Sequence, residues 1–230
     1  MSVNAGDKLP LILAQLARAP VAGQVKTRML PFLSPQQACE LHSRMVEHCC
    51  SQLCSSGLGS VELWVAGEPQ SALFRRCSEQ GLAALRTQPE GDLGARMAAI
   101  VAHSLARAEA VILVGSDAPA IDKDYLASAV AALRDNVVVL GPAWDGGYVL
   151  LGMRRQLPQL FENMPWGSDT VLEMTEQRLH DLQFDRQSDL QSARQLENPL
   201  SYQLLRGLPD IDRPEDLQHL PATLAWTHKP

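Results

Sequence analysis

The chain has 230 residues, of which 46% are hydrophobic, and this is enough for a sizeable folded core and argues against disorder. Its net charge is -6 and it has no block of lysine and arginine, which argues against a nucleic-acid-binding surface. No stretch is long enough for a membrane span, and the 5 cysteines form no CxxC pair, so we expect a cytoplasmic protein without a zinc site.

The first half of the chain alternates between strand and helix patterns. A loop at 17–30 follows the first strand, because Pro20 and Gly23 prevent regular structure. Ser34, followed by a proline and with Gln37 three residues on, is typical of a helix start. The predicted elements are a strand at 11–16, a helix from Ser34 to about residue 54, a strand at 61–66, a helix at 69–80, a strand at 83–87 and a helix at 95–108.

The second half keeps this rhythm as far as residue 152 and then weakens. The predicted elements are a strand at 111–114, a helix capped by Asp122 or Asp124 and running to residue 133, strands at 137–140 and 148–152, a helix at 168–182 capped by Ser168, and a short helix that begins at 212–215. Residues 185–200 are polar and predict a surface loop or a variable helix.

The alternation of strands and helices along the chain predicts an α/β fold with a mostly parallel central sheet and helices on both faces. With no repeats and no linker rich in glycine or serine, we expect residues 1–230 to form one domain.

Val111–Val114 is an apolar, β-branched run that predicts a strand buried on both faces, and it ends at the sequence GSDAP. Gly115 allows a tight turn, and Pro119 prevents the strand from continuing. Asp117 is then a carboxylate just beyond the carboxyl end of a buried strand, the edge at which open α/β sheets bind ligands. A carboxylate there suits a hard divalent cation, and such cations usually accompany phosphates. The alternative is that Asp117 only caps a turn or a helix.

Three cations, Arg18, Lys26 and Arg28, follow the first predicted strand on a loop that Gly23 makes pliable. Such a loop can wrap a diphosphate with its backbone N–H groups while the cations neutralise the charge. The spacing is not that of a Walker A loop, which needs further glycines that this chain lacks. We therefore predict a phosphate-binding loop, and a merely solvated basic loop is the alternative.

A second candidate anion site opens the helix at 95–108. Gly91, Asp92, Gly94 and Arg96 surround its start, where backbone N–H groups attract an anion or a polar ring edge. Asp92 is equally suited to a plain helix cap, in which case the segment binds no ligand.

Trp144, Asp145, Gly146, Gly147 and Tyr148 form a compact group between two predicted strands. Because two adjacent glycines cost chain entropy, stability alone does not explain them. The Asp-Gly pair is typical of a β-hairpin turn, and such a turn can still face a substrate. We therefore predict that Asp145 acts as a general base or as a second metal ligand.

Two weaker candidates lie downstream. Trp166 stands beside the predicted helix start at Ser168 and could line an acceptor pocket, and the alternative is a core tryptophan next to a helix cap. Asp212 could supply a further metal ligand, although with Glu215 it also has the pattern of a capping box. No histidine falls in any of these loops and no G-x-S-x-G or G-x-G-x-x-G occurs, which argues against hydrolase and dinucleotide-binding classes.

Six ordered segments carry a resemblance to a known family: LARAPVAGQVKTRM, GDLGARM, GSDAP, GPAWDGGYVLLG, MPWGSDTVL and LPDIDRPEDL. Together they resemble a bacterial family of GT-A-like transferases in the nucleotide-diphospho-sugar transferase superfamily, whose members are uncharacterised proteins or glycosyltransferases, some linked to arsenosugar biosynthesis. The resemblance covers about residues 11–220. It implies a Rossmann-like GT-A fold, with the loop at 18–28 facing the nucleotide phosphates and Asp117 in the place of the metal-binding aspartate. Ser116 stands where that motif has a first acidic residue, so Asp145 or Asp212 would have to complete the metal site.

The leading hypothesis is a glycosyltransferase that uses a nucleotide-diphospho-sugar donor. Mg²⁺ or Mn²⁺ would be held by Asp117 and Asp212, and Asp145 would deprotonate a hydroxyl of a small-molecule acceptor. The alternative is a nucleotidyltransferase that joins an NTP to a small phosphorylated substrate and releases pyrophosphate. A non-catalytic nucleotide or sugar sensor is a third hypothesis. None of the three needs nucleic acid or a membrane, and a homodimer is compatible with all of them.

Overall fold

Seven strands form one sheet through the middle of the protein. A computed structural model describes residues 9–189 and 200–226. The strands are β1 (Leu11–Arg18), β2 (Ser60–Ala66), β3 (Ala84–Thr87), β4 (Ala110–Gly115), β5 (Val138–Pro142), β6 (Tyr148–Met153) and β7 (Tyr202–Leu204). The first six lie where the sequence predicts strands. β7 was not predicted, because its three residues are too few to show a periodic pattern.

Within the described sheet, β6 alone runs against its neighbours. The order is β3-β2-β1-β4-β6-β5-β7, and adjacent strands are parallel except on the two sides of β6. A short loop at 143–147 joins β5 to β6, and so short a connection can join only antiparallel strands. The predicted α/β fold with a mostly parallel sheet is confirmed. The reversal also brings the start of β6 to the edge at which β4 ends.

The described residues contain five α-helices. They are α1 (Pro35–Ser56), α2 (Ala72–Ser78), α3 (Leu93–Leu105), α4 (Lys123–Asp135) and α5 (Val171–Asp189), with 3-10 turns at 27–29, 158–160, 214–219 and 222–224. Ser34 caps α1 as predicted, since its Oγ accepts from the backbone N–H of Gln37 at 3.2 Å while the Gln37 side chain accepts from Ser34 N–H at 2.8 Å. Across these described elements, no helix combines the length and apolar character needed to cross a membrane.

Side chains alternate between the two faces of the sheet, so helices cover both. Leu11 and Leu13 of β1 belong to the core beneath α1 and α4, whereas Ile12 and Ala14 belong to the core beneath α3 and α5. Every residue of Val111–Val114 is at most 3% exposed, as expected for a strand buried on both faces. Both faces of the sheet are thus buried, which favours a ligand site at the strand ends and their loops.

Several helix boundaries differ from the sequence expectation. α2 begins at Ala72 rather than at residue 69, because Ser71 caps it. α5 begins at Val171 rather than at Ser168, and the Ser168 hydroxyl instead accepts from the N–H of Thr170 in the preceding turn. α5 also continues to Asp189, into the stretch expected to be a surface loop or a variable helix, and residues 190–199 of that stretch lie outside the described residues.

The expected capping box of Asp212 with Glu215 is wrong. Asp216 takes that part, because its Oδ2 accepts from the backbone N–H groups of Asp212 and Arg213 at 2.9 and 2.7 Å. The side chain of Asp212 is therefore free of this capping role and makes other contacts.

Candidate functional site

A cleft of about 660 Å³ opens at the edge of the sheet where β1 and β4 end and β6 begins. Ligands of open α/β sheets bind at this edge. Eleven of the predicted site residues line the cleft: Arg18, Lys26, Arg28, Arg96, Asp117, Asp145, Gly147, Tyr148, Trp166, Ser168 and Asp212. Six do not line it: Gly23, Gly91, Asp92, Gly94, Trp144 and Gly146.

Ser116 fixes the turn after β4. Its Oγ donates to the carbonyl of Leu16 at 2.8 Å and accepts from the amide of Gln15 at 2.9 Å. Gln15 is fully buried, and its amide also donates to the Val46 carbonyl of α1 at 3.0 Å. These bonds tie the turn to β1 and α1. The next residue, Asp117, lines the cleft with 51% of its side chain exposed.

The ammonium group of Lys26 lies between two carboxylates. Its side chain is 3% exposed, and Nζ is 2.6 Å from Asp117 Oδ1 and 3.5 Å from Asp212 Oδ1. The position of Asp117 in the cleft partly desolvates its carboxylate, which would raise the pKa, but the charge and hydrogen bond of Lys26 outweigh this effect and hold the pKa of Asp117 below its usual value. The backbone of Lys26 has a φ of 50°, a left-handed conformation that costs a non-glycine residue about 1 kcal/mol. The residue that places its ammonium between the two carboxylates is therefore also a residue with a strained backbone.

The segment after β7 is bound to both of these loops. Arg28 Nη1 is 2.5 Å from Asp212 Oδ2, and the backbone N–H of Ile211 donates to the carbonyl of Asp117 at 2.8 Å. Ile211 is fully buried against Met29 and neighbouring residues of α1. The loop after β1, the turn after β4 and the C-terminal segment therefore form one connected wall of the cleft.

Asp145 is an exposed residue on the connection between β5 and β6. Its Oδ1 accepts from the N–H of Gly147 at 3.0 Å, which fixes the turn locally. Gly146 has a φ of 90°, and its carbonyl accepts from the N–H of Leu172 at 2.9 Å. A Cβ on Gly146 would lie 2.0 Å from the carbonyl oxygen of Asp169, so only glycine fits there. The turn thus packs on the start of α5 and leaves the carboxylate of Asp145 at the cleft.

A second hollow of about 410 Å³ adjoins the cleft beside Asp145. Trp144 lies on its wall with 62% exposure, and its ring meets that of His219 edge to face at 4.9 Å. Burial, and then the charge of Asp145, raise the pKa of Asp210 to about 6. The charged lining consists of Asp145, Asp169, Asp210, Asp212 and Asp216 with Arg28 and Arg213. The excess of carboxylates disfavours an anionic group in this hollow.

Another wall of the cleft is aromatic. The rings of Tyr148 and Trp166 meet edge to face with centroids 6.3 Å apart. Burial raises the pKa of the Tyr148 hydroxyl, so this group is protonated at neutral pH. The indole N–H of Trp166 is buried and has no hydrogen-bond partner among the described residues. A Cβ on Gly94 would lie 2.8 Å from Trp166 Nε1, so Gly94 makes room for this ring.

The start of α3 contributes one charged residue to the cleft. Asp92 caps the helix, since its Oδ1 accepts from the N–H of Ala95 at 2.8 Å. Arg96 lines the cleft while its Nε donates to the carbonyl of Gly91 at 2.8 Å. Gly91 and Asp92 are therefore placed to support Arg96 and the helix.

His42 of α1 also lines the cleft, although it is not one of the predicted site residues. Its Nε2 lies 3.0 Å from the carbonyl of Arg18, to which it can donate. Burial lowers the pKa of His42 more than this hydrogen bond raises it, so the ring is neutral. The spacing of His42, Val46 and Cys49 in the sequence could have placed His42 on the helix face that packs toward the sheet, because residues at this spacing share one face. In the structure, Cys49 on that face contacts the carbonyl of Ser116 through its Sγ at 3.7 Å.

The donor atoms suit a metal that arrives with phosphate. Within residues 9–189 and 200–226, no group of three or more His, Cys, Asp or Glu side chains is arranged to hold a metal ion by itself. Asp117 and Asp212 nevertheless converge on one positive charge, the ammonium of Lys26, which stands in for a cation. Mg²⁺ is usually held by one or two carboxylates together with substrate phosphates. These residues fit that arrangement.

Several solved structures share this fold. A protein of Desulfovibrio desulfuricans G20, assigned by inference to the nucleotide-diphospho-sugar transferases, is 23% identical with a TM-score of 0.75, and the match covers 93% of this chain and 87% of that one. The 4-diphosphocytidyl-2C-methyl-D-erythritol synthase of Anaerococcus prevotii DSM 20548 is 10% identical with a TM-score of 0.55, over 96% and 100% of the two chains. The inositol-1-phosphate CTP transferase of T. maritima is 14% identical with a TM-score of 0.51, over 93% of each chain. The predicted fold of the nucleotide-diphospho-sugar transferases is confirmed.

A comparison of the sequence with curated proteins finds no match. Residues 49–168, just over half of the chain, match the family DUF2064, described as an uncharacterized protein conserved in bacteria. The matched stretch runs from α1 to the turn before α5, and it contains both Asp117 and Asp145. By this match the chain belongs to the DUF2064 family of bacterial proteins.

Proposed function

We propose that this chain is a nucleotide-dependent transferase, and specifically a glycosyltransferase that uses a nucleotide-diphospho-sugar donor. The observation that carries the proposal is the convergence of Asp117 and Asp212 on the buried ammonium of Lys26 at the carboxyl edge of the sheet. A cleft that gathers basic side chains around two carboxylates is suited to a diphosphate and its counter-cation. The fold shared with the Desulfovibrio protein supports this assignment.

Arg18, Lys26 and Arg28 would share the negative charge of the diphosphate. Arg18 is exposed and Arg28 keeps 52% of its side chain exposed, so both present donors to the cleft. Asp117 and Asp212 would hold Mg²⁺ or Mn²⁺, which when bound stabilises the charge of the departing nucleoside diphosphate. Arg96, at the start of α3, would contact the nucleotide.

Asp145 would accept the proton of the attacking hydroxyl. Its carboxylate is exposed at the junction of the cleft and the second hollow, and a positioned base of this kind is what transfer to a hydroxyl requires. Trp144 and Trp166 would hold the acceptor, because aromatic faces pack on sugar rings. The acidic hollow favours a hydroxyl-bearing acceptor over a phosphorylated one.

A nucleotidyltransferase is the second candidate. One enzyme of the same fold, that of T. maritima, is named a CTP transferase, and the basic loop after β1 suits a triphosphate as well as a diphosphate. This reaction would release pyrophosphate, whereas glycosyl transfer would release a nucleoside diphosphate. The carboxylates of the second hollow argue against its phosphorylated co-substrate.

The test is thermal unfolding with a panel of nucleotide-sugars, NDPs and NTPs, with and without Mn²⁺ or Mg²⁺. A ligand at a hundred times its Kd adds about 2.7 kcal/mol, which gives a clear shift in Tm. We expect a metal-dependent shift with one nucleotide-sugar, absent in Asp117→Asn and retained in Asp124→Asn, which changes an exposed carboxylate on α4. A shift with NTPs alone would favour nucleotidyl transfer, and no shift with any nucleotide would contradict both reactions.

A further inference from the structure

We propose that Lys26 is a built-in counter-cation that keeps the site of Asp117 and Asp212 closed to free divalent ions and opens it only to a metal bound to nucleotide. The inference rests on the proposed function, because it concerns the metal that the donor diphosphate would bring. It assigns to Lys26 the control of binding order in addition to its contact with phosphate.

The surroundings of the ammonium resemble those of a bound hard cation. An ammonium has three hydrogens to donate, and three oxygens lie around Nζ of Lys26. They are Asp117 Oδ1 at 2.6 Å, Asp212 Oδ1 at 3.5 Å and the carbonyl oxygen of Ile211 at 2.5 Å. With its side chain 3% exposed, Lys26 occupies the space between the carboxylates and separates it from solvent.

The charges of this cluster are balanced before any ligand binds. Lys26 faces both carboxylates, and Arg28 is 2.5 Å from the other oxygen of Asp212. A free divalent ion would therefore enter a neutral cluster and meet a buried ammonium at close range, which is unfavourable. A metal bound to a diphosphate brings negative charge with it, and the displaced ammonium can pair with that charge.

The loop around Lys26 allows such a displacement. Val25 and Met29 are buried and anchor the loop on either side. Gly23 has a φ of 78° with open space around it, so it offers a pliable point before the anchor. Lys26 itself lines the cleft, and departure of its ammonium from the carboxylates would also permit its strained left-handed backbone to relax.

The test measures Mn²⁺ binding without nucleotide, through the electron paramagnetic resonance signal of free Mn²⁺ and through Tm. Lys26→Met removes the charge and keeps the length of the side chain, so we expect Mn²⁺ to bind at least about tenfold more tightly than to the wild type and to raise Tm. Lys26→Arg keeps the charge and should behave as the wild type. Lys123→Met, at an exposed position on α4, is the matched control and should change nothing.

A second substitution locates the ion. Adding Asp212→Asn to Lys26→Met should abolish the gained Mn²⁺ binding, because one of the two carboxylates is then neutral. If Lys26→Met does not fold, the inference is tested by measuring the Mn²⁺ affinity of the wild type with and without nucleotide. Equal affinity under the two conditions would overturn the inference.

The remaining outcomes separate this inference from the proposed function. Equal Mn²⁺ affinity of the wild type and Lys26→Met, with a metal-dependent nucleotide shift in the wild type, would overturn the role of Lys26 as a counter-cation and leave the transferase proposal intact. No Mn²⁺ binding in any variant, with or without nucleotide, would contradict the metal in both proposals.

Discussion

Gln15 of β1 donates a hydrogen bond of 2.9 Å to Ser116, the residue immediately before Asp117. The bond joins two central strands at the point where the cleft begins, and it contributes no charge. The Oε1 atom of Gln15 is buried and has no hydrogen-bond partner among the described residues. A buried, unpaired acceptor lowers the stability of the fold. The presence of glutamine at position 15 is therefore better explained by the hydrogen bond with which it positions the turn at Ser116 than by a gain in stability.

Gln15→Met should therefore weaken nucleotide binding more than it weakens the fold. The substitution removes the unpaired Oε1 together with two hydrogen bonds, so we expect a loss of about 1 kcal/mol in the free energy of unfolding. Without the Gln15 amide the Ser116 turn is held less firmly, and the nucleotide-induced shift in Tm should fall. Urea unfolding and thermal shift measure the two effects, with the exposed Gln36→Met as control. A large loss of stability with an unchanged nucleotide shift would contradict this assignment.

Asp145→Asn and Asp145→Ala should separate the two roles of this side chain. Asparagine keeps an oxygen that can accept from the N–H of Gly147, so stability and nucleotide binding should be retained. It cannot act as a base, so turnover should fall by about 10²- to 10⁴-fold. Alanine should lose turnover and also some stability, because the turn loses its hydrogen bond. The measurements are product formation and Tm, and full activity of Asp145→Asn would exclude Asp145 as the base.

Gly146→Ala should be strongly destabilising. The added Cβ would lie 2.0 Å from the carbonyl oxygen of Asp169, at a φ of 90°, so the turn and the start of α5 must separate. We expect a loss on the order of 3–5 kcal/mol in the free energy of unfolding. Gly23→Ala is the matched control: its φ is also positive, at 78°, but its surroundings are open, so the loss should be about 1 kcal/mol. Equal losses measured by urea unfolding would refute the steric argument.

Glu62 of β2 should make stability depend on pH. It is 2% exposed and accepts hydrogen bonds from Arg86 and Arg107. Burial would raise the pKa of Glu62, but the hydrogen bonds from Arg107 and Arg86 outweigh burial, and the pKa lies below its usual value. A carboxylate with a lowered folded-state pKa stabilises the fold above its unfolded-state pKa, and this contribution is lost as the pH falls through the folded-state pKa.

Glu62→Gln should therefore cost about 3 kcal/mol at pH 7, because two arginines lose the negative charge of their buried partner and one of its two acceptor oxygens. The difference from the wild type should narrow as the pH falls below the ordinary glutamate pKa of about 4.3 and through the lower folded-state pKa, where the wild-type carboxylate becomes protonated. Urea unfolding at several pH values measures this, and Glu79→Gln, at an exposed position, is the control. A difference that does not change with pH would show that the charge of Glu62 is unimportant.

The sheet and the general place of the site could be predicted because both depend on local patterns. The continuous apolar run of Val111–Val114 is rich in β-branched residues and ends abruptly at Gly115, so it favours a buried strand whose end lies at a ligand edge. The capping of α1 by Ser34 likewise depends on neighbouring residues alone. The cap of the 3-10 turn at 214–219 could not be predicted in this way, because Glu215 and Asp216 both suit it by residue type and only backbone geometry selects Asp216.

The contacts inside the site could not be predicted because they join distant parts of the chain. Lys26 and Ile211 are separated by 185 positions, and no periodicity relates the basic loop to the C-terminal segment. His42 was missed for a related reason: it lies on a helix, and it reaches the cleft only because that helix packs across the end of β1. The partners of a charged group at a strand end are thus set by tertiary packing.

The reversed direction of β6 restricts how members of this family can diversify by insertion. A loop that leads from a strand into a helix can lengthen outward, but the connection at 143–147 begins and ends in the same sheet. It is closed by a hydrogen bond of 3.0 Å from Ala143 N–H to the Gly147 carbonyl, and α5 rests on its Gly146. Insertions in related chains should therefore avoid 143–147, so that new acceptors are acquired by changing other parts of the cleft rim while this turn keeps a constant length.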